Sequence, residues 1–257
     1  LIHLACISND PSFELNPTLG KSINLDAFEP MVKISVESNI NQFIYASSSS
    51  VYGIKKEKNV TEDMSLEPLT DYSKFKGDCE KILNNYSSDD FITTTIRPST
   101  VCGYAKRQRL DLVVNILTNH AFHNREIKVF GGEQLRPNVH INDMIDSYIT
   151  VIDADPKKIN GQIFNVGFKN QSVNQLADDV KTVIGNDVKI VNTISNDNRS
   201  YHVSSDKIKS VLGFESKHTV KDAVQDLKNA FEKKLLINTF EDEFFFNIKR
   251  MNSIKLQ

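Results

Sequence analysis

The stretch Gln42-Phe43-Ile44-Tyr45-Ala46-Ser47-Ser48-Ser49-Ser50-Val51-Tyr52-Gly53 opens as an apolar run and closes in small hydroxyl residues and a glycine. A short apolar run bounded by turn residues predicts a buried strand over Gln42–Ser48. Reading outward, Val51–Thr70 is polar, carries Pro68, and reads as a loop. Asp71–Asn84 reads as a helix, and the β-branched Phe91–Arg97 as a strand stopped by Pro98. Upstream, Leu1–Ala5 reads as a strand and Pro17–Ser38 as a helical stretch that Pro30 should kink or divide. Strand–helix–strand–helix–strand implies parallel strands joined by crossover helices, hence a right-handed doubly wound α/β sheet.

Beyond Arg107 the rhythm changes. Helices are expected over Leu110–His120, Asn142–Val151, Ser172–Ile184 and Thr219–Lys233, with short strands at Ile127–Phe130, Val139–Ile141, Gln162–Val166 and Val188–Val191. Ser172/Gln175 and Thr219/Asp222 have capping-box spacing. Residues 1–107 thus form the sheet domain, and 108–257 a smaller α/β lid whose elements near 139–166 return to the sheet. Phe244-Phe245-Phe246 in the tail is expected to pack on the body.

The 257 residues carry 31 Lys+Arg against 33 Asp+Glu, a net charge of −2. That leaves no cationic surplus to neutralise a phosphate backbone, so nucleic acid is not an expected partner. Cys6, Cys79 and Cys102 contain no CxxC and read as reduced thiols of a cytoplasmic protein. No apolar run approaches the ~20 residues of a membrane span. The chain opens inside an apolar strand, which reads as a fragment cut before a central strand.

Tyr-x-x-x-Lys occurs twice, at Tyr52/Lys56 and Tyr72/Lys76. Residues four apart on a helix share a face, so the ammonium can act on the phenol. A general base needs the phenol pKa to fall from about 10 toward 7, about 4 kcal/mol, and a neighbouring cation works in that direction. The motif alone arises about once by chance in such a composition. Context separates the two: Gly53 breaks a helix after Tyr52, whereas Tyr72 follows Asp71 at a helix start. The serines at 47–50 add a second feature. They end a parallel strand, where ligands bind in doubly wound sheets, and offer donors to a substrate hydroxyl.

These segments stand in the order His3-Leu4-Ala5-Cys6, Asn24, Ala46–Gly53, Tyr72-Ser73-Lys74-Phe75-Lys76 and Arg97-Pro98. Phe130-Gly131-Gly132, Arg136, His140-Ile141-Asn142-Asp143, Asn165-Val166-Gly167 and Leu212-Gly213-Phe214 follow. In that order the chain resembles the NAD-dependent epimerase/dehydratase family, the extended short-chain dehydrogenases/reductases with a Rossmann-type fold. The resemblance implies NAD as cofactor, with NADP still open, and a nucleotide-linked sugar as substrate. Tyr72 then resembles the acid/base, Lys76 the residue that holds the nicotinamide ribose, and Ser48 the residue that bonds the reacting hydroxyl. Leu4, Ala5, Cys6, Asn24, Ala46, Ser47, Pro98, Ser99, Thr100 and Val101 resemble cofactor contacts. Arg136 and Arg199 resemble the grip on the nucleotide diphosphate, with Ser49, Arg109 and Asn115 as further substrate contacts; arginine suits the task because its planar fork pairs with phosphate oxygens. A homodimer through the helix around Leu25–Val36 is implied in the same way, though a monomer core fits the periodicity equally.

Three departures carry information. The glycine-rich fingerprint and the residue that selects NAD or NADP are absent; both are expected upstream of Leu1, in about 60 residues. Ala27 replaces a common glycine and Cys6 a usual alanine. The family's dehydratases carry an acidic residue two positions before the tyrosine of the serine motif, where this chain has Ser50, preceded by Ser49. Without a carboxyl group there, elimination of water is poorly supported, which favours epimerisation or simple oxidation and reduction. His120 and His123 lack a nearby third ligand and are not read as a metal site.

Overall fold

The structure is a computed structural model of the 257-residue chain, and it describes residues 1–57, 59–194, 200 and 202–255. β1 (Ile2–His3) leads through α1 (Asp10–Phe13) and α2 (Pro17–Lys21) to a π-helical turn at Ser22–Asp26 and then α3 (Phe28–Glu37). β2 (Gln42–Ala46) runs into a 3-10 turn at Ser49–Tyr52, and a loop reaches α4 (Asp71–Asn84). β3 (Ile92–Pro98), β4 (Thr100–Cys102), α5 (Val113–Asn124), β5 (Glu126–Phe130) and β6 (Leu135–His140) follow. Next come α6 (Ile141–Ile152), α7 (Pro156–Ile159), β7 (Gln162–Val166), β8 (Lys169–Ser172), α8 (Val173–Ile184) and β9 (Lys189–Thr193). The chain closes with α9 (Asp206–Leu212), α10 (Val220–Glu232), a 3-10 turn at Glu243–Phe245 and α11 (Asn247–Ser253).

The main sheet has the order β1-β2-β3-β7, and every pair in it is parallel. Its carboxyl ends, at His3, Ala46, Pro98 and Val166, therefore share one edge. Side chains alternate across a strand. On β2, Phe43 and Tyr45 pack with Phe28 and Val32 of α3 and Cys79 and Leu83 of α4. Ile44 points the other way, into a cluster with Ile96, Met144 of α6, Phe164 and Ile208 of α9. Helices thus cover both faces, the α/β architecture expected from the alternation of strands and helices. Phe43, Tyr45 and Phe28 are each no more than 2% exposed. Burial of one such side chain contributes about 1.5–3 kcal/mol.

At Ser99 the chain leaves the main sheet and enters a second one, β4-β6-β8, while β5 and β9 form a parallel pair. Around these, α5, α8 and α10 bury Val114, Leu117, Leu176, Val180 and Val224. The capping boxes at Ser172/Gln175 and Thr219/Asp222 are formed.

Several boundaries differ from the sequence expectation, each for a local reason. Pro30 does not divide a long helix. It is the third residue of α3, inside the first turn, where its missing N–H is not needed; the break lies at the π-helical turn before it. α5 starts at Val113, not Leu110, because Leu110 is fully buried and gives its N–H to the Phe245 carbonyl (2.9 Å). The strand expected at Val139–Ile141 runs from Leu135 to His140, extended by pairing with the polar β8. β1 keeps only two residues, leaving Leu4 and Ala5 exposed at the carboxyl edge. In the tail, Phe245 and Phe246 pack near Leu110 and Phe231, while Phe244 is half exposed beneath Arg250. Among the described residues, no helix is long and apolar enough to cross a membrane.

Candidate active site at the carboxyl edge of the sheet

α4 is fastened to the end of β2 at two points. Thr70 caps the helix by accepting the Ser73 N–H (3.3 Å), which commits Tyr72 to the first turn. Ser73 then bonds the Ser50 hydroxyl at 2.9 Å, and Ser50 lies 2.9 Å from the Ser48 hydroxyl. One turn further on, Lys76 donates a hydrogen bond to the Ala46 carbonyl at 2.7 Å. Ser48, at the strand end, caps the following 3-10 turn. The Lys76 ammonium is almost fully buried, 5.0 Å from the centre of the Tyr45 ring and 5.9 Å from that of Tyr72. Ser48, Tyr72 and Lys76 therefore gather on one edge.

The Tyr72 phenol is buried with Ile7, Phe13 and Phe75, and Met251 of α11 packs against this cluster. Burial pushes its pKa well above that of a free tyrosine; the nearby Cys6 and Asp10 add to the rise, and the Asn9 N–H and Arg109 oppose it. The shift is opposite in direction to the fall expected from the Tyr-x-x-x-Lys spacing, because burial outweighs the nearby positive charge.

Glu80 extends the same helical face by one more turn and is a residue the sequence reading missed. With Arg97 it forms a buried two-pronged pair, Nε–Oε1 at 3.0 Å and Nη2–Oε2 at 2.6 Å. Ser47 also donates to Glu80. Arg97 donates to the Tyr52 hydroxyl (2.7 Å), which donates to Asn165 (2.7 Å). Burial lifts the Tyr52 phenol to about 12 despite Arg97. Tyr52 thus serves a buried network, and the spacing 72, 76, 80 is the signal by which Glu80 could have been found.

The other candidates are distributed as follows. Asn24 sits in the π-helical turn and clamps Ile7 with both ends of its amide, Oδ1 to N at 2.8 Å and Nδ2 to O at 2.9 Å, so it shapes the loop after β1. Cys6 is half-buried in that loop. Pro98 ends β3, the Ser99 hydroxyl is buried without a hydrogen-bond partner, and Thr100 and Val101 lie in β4. Ser49 is buried. Asn115 braces the loop before α5 through the Gly103 N–H (3.2 Å) and the Arg109 carbonyl (2.8 Å). Arg109 bonds Asp111 (2.9 Å) and Ser8 (3.3 Å), and its Nη2 is buried with no hydrogen-bond partner. Arg136 stands apart on β6, at the rim of a cavity of about 650 Å³ with an apolar floor of Ile116, Leu117 and Val173 and with Lys128 and Gln134 beside it. Arg199 lies outside the described residues. His120 and His123 pack around the Phe240 ring; no metal-holding group of three or more His, Cys, Asp or Glu side chains occurs among the described residues.

A parallel sheet with helices on both faces and a Tyr-Lys pair at its carboxyl edge defines a Rossmann-type α/β protein. The model of the NAD dependent epimerase/dehydratase family matches residues 1–167, and the chain belongs to that family. It is 26% identical over 243 residues to a UDP-glucose 4-epimerase of Lactobacillus helveticus, covering 87% of this chain and 74% of that one. It is also 26% identical over 215 residues to the human dTDP-D-glucose 4,6-dehydratase, covering 79% of this chain but 60% of the relative. Among solved structures, a UDP-glucose 4-epimerase of Thermotoga maritima with UDP-glucose superposes with a TM-score of 0.82 at 23% identity, covering 91% of this chain and 77% of that one.

Proposed function

We propose that the chain provides the catalytic centre of an NAD(P)-dependent epimerase that inverts a carbon of a nucleotide-linked sugar through a transient keto-sugar. The observation that carries the choice within the family is the pair of hydroxyls at 49 and 50. Where the family's dehydratases place a carboxyl acid, Ser50 is tied to Ser48 and Ser73, and Ser49 is buried. No proton donor of carboxyl type stands at that position to expel water.

The edge suits a nicotinamide cofactor. Leu4 and Ala5 are exposed at the edge, and the Ser99 hydroxyl is buried with no hydrogen-bond partner. The Lys76 ammonium has three donors, of which the Ala46 carbonyl takes one. Lys76, Ala46, Ser99 and the loop at 4–6 would hold it. The chemistry such a group supplies is acceptance and return of a hydride at the carbon bearing the reacting hydroxyl. Lys76, with the added positive charge of an oxidised nicotinamide, favours the Tyr72 phenolate, which takes the hydroxyl proton while Ser48 bonds the oxygen. Arg136, over its apolar cavity, is assigned the diphosphate, with Arg109 and Asn115 nearer the sugar.

The test is incubation with a panel of UDP-, dTDP- and GDP-sugars, followed by NMR with and without added NAD(P). Epimer formation without net cofactor change supports the proposal. A 4-keto-6-deoxy product, or stoichiometric cofactor turnover, rejects it in favour of elimination or net oxidation and reduction.

A further inference from the structure

Four hydroxyl–oxygen contacts run in series away from Ser48. Ser48 and Ser50 lie 2.9 Å apart, Ser50 and Ser73 2.9 Å, Ser73 and Thr70 3.1 Å, and Thr70 donates to Asp10 Oδ1 at 2.6 Å. The series joins three separate segments: the end of β2, the start of α4 and the first turn of α1. Ser73 is 2% exposed, so water does not compete at the middle link. Asp10, at the far end, is half-buried, and this hydroxyl is not its only contact.

Helix capping does not account for the series. Ser48 and Thr70 do act as caps, but each does so by accepting a backbone N–H (3.2 and 3.3 Å), which spends a lone pair and leaves the hydroxyl proton unused. A hydroxyl has one proton and two lone pairs. Ser73 donates to Ser50, and Thr70 is placed to donate to Ser73 or to Asp10, so the resting order points toward Ser48. With Thr70 turned to the carboxylate, rotation of the Ser73 and Ser50 hydroxyls reverses that order, and a chain of this kind polarises along its length. It starts at the serine assigned to the reacting hydroxyl and ends at a proton acceptor that can meet solvent.

We propose that Asp10 is the outlet of a proton wire running from Ser48 through Ser50, Ser73 and Thr70; this rests on the oxidising half-reaction of the proposed function. In that half-reaction the sugar C–H bond breaks and its electron pair leaves as hydride for oxidised nicotinamide. The O–H bond also breaks, and its proton goes to the Tyr72 phenolate, which hands it to Ser48 and is a phenolate again. Ser48 passes a proton to Ser50 as it receives one, Ser50 to Ser73, Ser73 to Thr70 and Thr70 to Asp10. Asp10 becomes a carboxylic acid and releases the proton to water. Return of the hydride draws a proton back along the same path. Asp10 is a positioning residue for proton traffic and does not touch the sugar.

The experiment follows two signals at once after rapid mixing of the NAD-loaded full chain with the nucleotide-sugar panel. Nicotinamide absorbance reports hydride transfer, and a pH-indicator dye in weak buffer reports proton release. In the unaltered chain the two signals should rise together. In Asp10→Asn, which keeps an acceptor for Thr70, and in Ser73→Ala, proton release should lag hydride transfer by about tenfold or more; Ser73→Thr, which keeps the hydroxyl, should restore synchrony. Synchronous signals in Asp10→Asn and Ser73→Ala overturn the wire and leave the proposed function standing. Absence of nicotinamide reduction in the unaltered chain with every sugar overturns both.

Discussion

The Lys76 ammonium reaches from the second turn of α4 to the carbonyl of Ala46, 2.7 Å away, and so ties the helix that carries Tyr72 to the strand that ends in Ser48. The bond fixes the lysine without neutralising it, because its partner is a carbonyl. Its charge stays beside the Tyr45 and Tyr72 rings.

Replacing Tyr72 by Phe should lower turnover of the proposed reaction by about 10²–10⁴-fold while leaving nucleotide-sugar affinity within about twofold. Steady-state kinetics with a parallel binding isotherm checks this. Near-normal turnover would remove Tyr72 from the chemistry.

Glu80→Gln should destabilise the fold by about 3–5 kcal/mol, because it leaves the Arg97 guanidinium buried without its counter-charge. A double change of Glu80 and Arg97 to methionine should cost less than the single one. Urea unfolding of the three proteins decides it; equal stability of Glu80→Gln and the unaltered chain would contradict the pair's role.

Gly53 holds φ +66°, and a Cβ there would stand 1.9 Å from the Glu67 carbonyl oxygen. Gly53→Ala should therefore cost about 2 kcal/mol or more and loosen the loop behind the serine turn. Thermal melting tests it, and an unchanged Tm argues against it.

His218 donates to Asp143 at 2.7 Å and stacks on His140, with centroids 4.6 Å apart. The Asp143 bond raises the His218 pKa above its ordinary value, with the acidic Asp222 and Asp146 also nearby. A raised folded-state pKa gives stability that is fully present below about 6.5 and is lost as pH climbs through the folded value. His140 works in the opposite sense: burial, then the His218 charge, lowers its pKa, so its contribution weakens as pH falls. His218→Gln should thus lose more stability at mildly acid than at mildly alkaline pH. Tm measured across that range, with a loss independent of pH, would rule it out.

The expected and observed bounds of α4 coincide, and so do those of β7, because each carries strong local signals: the run after Thr70 in one case, and a short apolar strand between turns in the other. Both capping boxes were equally plain. β8, Lys169-Asn170-Gln171-Ser172, had no such signal; it is a strand because β6 lies beside it, a partner more than thirty residues away. The candidate edge shows the same division. Tyr72, Lys76 and Ser48 carry local spacing, and Glu80 shares it. The carboxyl group of Asp10 meets Thr70 across sixty residues of sequence. The full engagement of Asn24 with Ile7 likewise depends on a π-helical turn that no propensity announces.

The passage of the chain through Ser99 has a mechanical consequence. Ile92 to Cys102 is one nearly continuous ribbon, shared by the main sheet and the small one, and the Ser99 N–H is pinned to the Val166 carbonyl at 2.8 Å. Two bodies joined this way cannot hinge freely about a linker. If the diphosphate sits on Arg136 and the reacting hydroxyl on Tyr72, as proposed, the span between those two side chains acts as a ruler for the length of molecule that fits.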